Sequence, residues 1–268
     1  MKKRTDQKVI GVIAEQRFID CVEHIAKNNE VDIYKIRFDC FQKGQLTEKN
    51  IELLRHAPNR GNIMASMRHR DTVLPDRQEF EGFKYEDHPL KVTVENRIED
   101  RDLDRIYWLR QAAQEYRMPY FEIEHDRRKG FILLGGNLAP KAVVRYTNLN
   151  MTPSLEDLNK VYDEIVRKGA DHIVIETYVR NQGKDNGQKD RKSLFDLAEQ
   201  KLNGPKPLTI VGLGKYGGRV NVESYKAGLS QFAFGVFPSF SFIPWMQQKR
   251  AHNNLPTVDH LRKELDKN

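Results

Sequence analysis

The chain has 268 residues, 38% hydrophobic and 31% charged, with a formal net charge of +7. It is polar for a folded protein, yet long enough for one large α/β domain. Its two cysteines stand in no metal or redox spacing, no stretch approaches the roughly 20 apolar residues of a membrane span, and bases interleave with acids throughout, so disulfide-scaffold, membrane-spanning and nucleic-acid-binding classes are set aside.

Val9 to Ala14 reads as an apolar strand, and Phe18, Ile19, Val22, Ile25 and Ala26 then recur at helical spacing. The basic start, Met1 to Arg4, leads into no apolar run of signal-peptide length, which implies a soluble cytoplasmic protein. Val31 to Asp39, rich in β-branched and aromatic residues, is a second strand. Thr47 to His56 is a helix and Asn62 to Arg68 a third strand. Residues 69–97 form a long charged excursion with Pro75 and Pro89, a hairpin or a lid. Ile98 to Tyr116 is helical, with Ile106, Leu109 and Ala113 on one side, and Tyr120 to His125 and Ala142 to Asn148 are strands.

Thr152-Pro153 opens the next helix, with threonine as the cap and proline in the first turn. Leu155, Leu158, Val161 and Ile165 mark its buried stripe, and Gly169 ends it. His172 to Thr177 is a strand, residues 181–192 read as a mobile loop, and Leu194 to Leu202 is helical. Leu208 to Leu213 and Gln231 to Phe237 complete eight strands. Strands alternating with helices argue α/β, and eight such units suggest a closed (β/α)8 TIM barrel, one domain over 1–268 with 69–97 as an insertion; an open doubly wound sheet is the alternative.

Charge on the strands points to a pocket. Lys35, Arg37 and Asp39 alternate onto one face, where a buried strand normally carries apolar residues. Lys35 is either an amine activated by burial beside Arg37 or the partner of Asp39 or Glu122. Arg37 and Arg68 suit a carboxylate or phosphate clamp, or ion pairs with Asp39, Glu122 and Glu124. His172 and Glu176 share a strand face as a candidate base and its orienter, but His172 starts its strand, far from the C-terminal mouth where barrel chemistry sits. Arg145 is read as neutralising an interior acid. Gly212 to Gly217 matches GxGxxG, but it comes late and lacks the acid about 20 residues on that dinucleotide sites carry. It is either an anion-approaching loop presenting Lys215 or a tight turn into a short helix. The aromatic cluster from Phe232 to Trp245 reads as core plus interface.

These residues resemble the type I 3-dehydroquinate dehydratases, nearly end to end and in the same order. Ile36 to Asp39 resembles that family's Glu-x-Arg-x-Asp strand, Ser66-Met67-Arg68 its third strand, and Glu122-Ile123-Glu124 the acid pair of its fourth. Asn148 to Ser154 resembles the segment that ends in Thr-Pro, Lys168 to Asp171 the Leu-Gly-Ala-Asp before the lysine strand, Leu213 to Gly217 the Met-Gly-Lys-x-Gly loop, and Ser230 to Gly235 the last strand. Pro244 resembles the proline of the family's closing loop, with Gln247 displaced from the glutamine place.

The departures fall on the chemistry. The resemblance puts Val174 where the family's Schiff-base lysine stands, Thr147 at its proton-shuttling histidine, Lys35 at its strand-two glutamate, Asn221 at an arginine and Thr72 near a glutamate. An iminium needs an amine, and residues 172–179 contain no lysine. The resemblance therefore implies a divergent relative, inactive in that reaction. It would hold a small anionic metabolite through Arg37, Asp39, Arg68, Glu122, Lys215 and Ser230, without metal or cofactor, as a homodimer. The alternative is an active carbon–oxygen lyase using a relocated lysine, Lys35 before Lys215.

Overall fold

Apolar runs that are hydrophobic on both faces make strands covered on both sides, and here they close around one another. The computed structural model describes residues 7–15, 17–28, 30–41, 45, 47–57, 62–66, 109–110, 112–125, 140–180, 183–214, 216–238 and 255–267. In chain order its elements are β1 Lys8–Ile13, α1 Phe18–Lys27, β2 Ile33–Arg37, a 3-10 turn Phe38–Cys40, α2 Glu48–His56, β3 Ile63–Ser66, β4 Tyr120–Glu124, β5 Lys141–Asn148, α3 Leu155–Arg167, β6 His172–Tyr178, α4 Gly183–Gln200, β7 Leu208–Leu213, α5 Gly218–Lys226, β8 Phe232–Val236 and α6 Val258–Asp266. The strands are parallel and ordered β7-β6-β5-β4-β3-β2-β1-β8. This is the (β/α)8 barrel, nearly closed into a ring. Among the described residues no helix is long and apolar enough to cross a membrane.

Two apolar layers follow from the strand period of two. Outward positions such as Ile36, Phe121, Val144, Ile173 and Ile210 join helix residues such as Leu158, Ile165 and Leu197 in one cluster. Inward positions Ile10, Val12, Ile33, Met64, Val143, Val174, Val211, Leu213, Phe232 and Phe234 form a second.

Local chemistry moves several predicted boundaries. β2 stops at Arg37, so Asp39 lies in the 3-10 turn and not on the strand face with Lys35. Ser154, not Thr152, caps α3, its hydroxyl accepting from the Asp157 amide at 3.2 Å. Thr152 is buried instead, its hydroxyl 2.9 Å from Thr177 Oγ1 and donating to Tyr178 O at 3.0 Å. Gly169 ends the helix at φ +84°. Of the expected mobile loop at 181–192, residues 183–192 are the start of α4, and the Arg180 guanidinium (2.7 Å) and amide (2.9 Å) donate to Asp190. Its first turns carry no apolar residue, so periodicity gave no signal there. α6, capped by Thr257 and seated by buried Val258 and Leu261, is a further helix beyond those expected from the sequence. Arg68, Lys215, the 69–97 insertion and Phe240 to Gln247 lie outside the described residues.

The GxGxxG hexapeptide is a turn into a helix. Gly214 sits at φ +79°, and the Gly217 amide closes back onto Gly214 O at 3.1 Å. A Cβ on Gly217 would lie 2.3 Å from Leu213 O and 2.4 Å from the Gly212 carbonyl carbon, both backbone atoms that cannot step aside. The glycine thus lets α5 approach β7 closely. Gly217→Ala is expected to lower the unfolding free energy by about 1–3 kcal/mol, read as a shift of the urea midpoint; an unchanged midpoint would show that the approach is not tight.

Candidate functional site

The inward faces of β2, β3, β4, β5 and β6 carry a polar group in the middle of the barrel. Register brings its members together: Ser66 lies opposite Glu122, Glu124 opposite Arg145, Arg145 opposite Val174, and Thr147 opposite Glu176. Glu122 is the hub. Its Oε1 receives the Lys35 ammonium and the Ser66 hydroxyl, the latter at 3.1 Å. Its Oε2 accepts from the Arg145 guanidinium at 2.9 Å. The other end of that guanidinium lies 2.9 Å from Glu176 Oε1, while Thr147 donates to Glu176 Oε2 at 3.2 Å. The Phe234 ring lies 4.8 Å beneath the guanidinium and 5.6 Å from the Lys35 ammonium. Lys35, Glu122 and Arg145 are each 2% exposed. Charges so withdrawn from water persist only when paired.

Burial alone would push the Glu122 carboxyl upward, but the Arg145 and Lys35 charges and their hydrogen bonds outweigh it and hold the group well below the usual carboxylate range. Burial likewise works against the Arg145 charge, and Glu122 followed by Glu176 overrides it, raising the guanidinium further. Neither group exchanges protons near neutrality, so neither serves as a general acid or base there. Because the folded Glu122 titrates below the unfolded one, the folded state binds fewer protons in that range. The stabilisation is fully present above the ordinary value of 4.5 and is lost as the pH falls toward the folded value. Urea unfolding between pH 3 and 7 is expected to show stability rising with pH across the acid limb, and Glu122→Gln to flatten that limb. An equal slope in both proteins would remove Glu122 as its source.

The candidates read from the sequence distribute unevenly. Lys35 meets Glu122. Arg145 neutralises interior acids, as expected, and does so for two at once. Arg37 ends β2, half-buried at the C-terminal rim. Val174 is fully buried in the inner apolar cluster. His172 lies low in the barrel, Nε2 2.9 Å from Thr209 Oγ1 and its ring stacked 3.9 Å from Phe232. Ser230 precedes β8, at the end opposite the mouth; its hydroxyl accepts from the Ile210 amide at 3.1 Å and donates to Ser224 Oγ at 2.9 Å. It therefore stands apart from the mouth group. Asn221 is fully buried on α5 and bonds the main chain of Phe234. Sequence reasoning missed the buried Glu15–His24 pair, 2.9 Å apart behind the end of β1, because no spacing links a loop carboxylate to a helix histidine. Among the described residues no group of three or more His, Cys, Asp and Glu side chains is arranged to hold a metal ion.

No protein-family model matches the sequence, and no curated protein is similar to it. Solved structures are similar to it. One is the type I 3-dehydroquinate dehydratase of Clostridium difficile, solved with covalently modified comenic acid: 16% identical, TM-score 0.62, covering 99% of this chain and 92% of that one. The 3-dehydroquinate dehydratase of Geobacillus kaustophilus is 14% identical, with TM-score 0.60 over 97% of this chain and 90% of its own. That of Aquifex aeolicus is 14% identical, with TM-score 0.58 over 97% of both chains. At such identities the likeness establishes a shared fold, and that alone.

Proposed function

We propose that this dehydroquinate-dehydratase-like barrel binds a small carboxylate-bearing metabolite at its C-terminal mouth and does not form a Schiff base with it. One observation carries the reading. Val174 fills the place that the resemblance gives to the amine, and Lys35, the amine in the inner polar group, is spent on Glu122. A nucleophilic lysine must be deprotonated, and an ion pair with a buried carboxylate favours the charged form. Arg37 at the rim supplies a forked donor for a carboxylate, with Arg68 and Lys215, which follow β3 and β7 in the chain, as further cations and Asp39 for ligand hydroxyls. Glu122 belongs to this site as the anchor of the cations beneath it.

A second reading, lyase chemistry through a relocated Lys35, rests on that same inward amine. Borohydride reduction in the presence of 3-dehydroquinate, followed by intact mass, separates the two. The expected result is no adduct, no rise in enone absorbance, and a melting temperature raised by dehydroquinate, shikimate or comenic acid. An adduct that disappears in Lys35→Met would establish the second reading. Neither adduct nor thermal shift with any of the three acids would overturn ligand binding at this mouth.

A further inference from the structure

The two edges of β8 are held differently. Toward β1 the ladder is continuous from Phe232 to Val236. Toward β7 no ladder forms among the described residues. The two segments meet where the Gln231 amide donates to Leu208 O at 3.2 Å, and from there side chains take over. The Phe232 amide donates to Thr209 Oγ1 at 3.0 Å, and the Ile210 amide to Ser230 Oγ at 3.1 Å. Both main-chain groups of Phe234 are met by the Asn221 carboxamide, at 2.8 Å and 3.3 Å. At the top of the strand the Val236 amide donates to Pro256 O at 2.9 Å, in the short segment that leads into α6. Thr209, Asn221 and Ser230 are fully buried, so these bonds replace a strand partner in the dry interior and are not surface decoration.

A ladder rung is stiffened by the rungs beside it, whereas a side-chain pin breaks on its own by a rotamer change. Local openings are drawn from the parts of a fold with the fewest mutually supporting bonds. We propose that the β7–β8 junction is a conformational seam, the line along which the barrel opens first, letting solvent reach the inner edge of β8 while the ladders from β4 through β7 stay closed. The inference rests on main-chain hydrogen bonding and is independent of the ligand reading.

Native-state hydrogen exchange on the full chain, resolved to single amides, tests it. The amides of Ile210, Phe232 and Phe234 are expected to exchange at least about tenfold faster than those of β5 and β6, equivalent to a difference of about 1.4 kcal/mol. Thr209→Val keeps the shape and removes one pin, and Ser230→Ala removes another. Each is expected to speed its own amide, Phe232 or Ile210, by about a further tenfold while the β5 rates stay unchanged. Seam amides that exchange only at the rate of β5 and β6 would overturn the proposal. If neither variant folds, the wild-type rates decide it.

Discussion

Glu122→Ala is expected to remove about 3–5 kcal/mol of unfolding free energy, because it leaves two buried cations without their shared carboxylate. Lys35 and Arg145 both point at Glu122, and each is almost wholly withdrawn from water. Alanine keeps their desolvation and removes the compensating charge, and it also strands the Ser66 hydroxyl. Lys35→Met is expected to cost less, since Glu122 keeps Arg145 and Ser66 and methionine fills much of the lysine's volume. Urea midpoints measured at constant slope give both values. A Glu122→Ala loss no larger than that of Lys35→Met would mean that Glu122 is not the hub of the group.

Asn221→Leu is the second large effect, about 2–6 kcal/mol, from two buried main-chain groups of Phe234 left unpaired at about 1–3 kcal/mol each. Leucine matches asparagine in shape and supplies neither donor nor acceptor. Thermal or urea unfolding reads the loss directly, and a change below about 0.5 kcal/mol, the range of a neutral surface substitution, would mean that the carboxamide does not hold the strand. The sequence resemblance puts Asn221 where the dehydratase family has an arginine, and here its carboxamide is turned to the backbone of β8 and closes the barrel wall. A motif match places a residue in the chain; it does not say which neighbour its side chain meets.

Much of this barrel was legible in one dimension. Strands such as Leu208–Leu213 announce themselves as apolar runs between turn residues, and eight of them alternating with helices leave few ways to bury every face. The interior charges were legible because a period of two puts Lys35, Glu122, Arg145 and Glu176 on inward faces whatever the details of packing. The turn at Gly212 to Gly217 was legible as a choice between two readings. What hid from the sequence was polar and local. The first turns of α4 carry no apolar stripe and are tied by polar pairs, Arg180 with Asp190 and Arg191 with Glu223. The α3 cap falls two residues later than expected because Thr152 bonds Thr177 and Tyr178 on β6 instead. Asp39 left the strand face because β2 ends two residues earlier than its composition suggests.

By itself, then, the sequence determined the barrel, the inward placement of Lys35, Glu122, Arg145 and Glu176 and the absence of an amine on β6, since each follows from hydrophobic period and residue identity. The tertiary structure alone decided that Glu122 gathers Lys35 and Arg145, that Ser230 lies at the far end from the mouth, and that Asn221 and Thr209 stand in for a missing ladder between β7 and β8. The reason is physical: apolar burial depends on a residue's own face and is written locally, whereas a polar partner is chosen by distance and direction between atoms that the chain brings together from far apart.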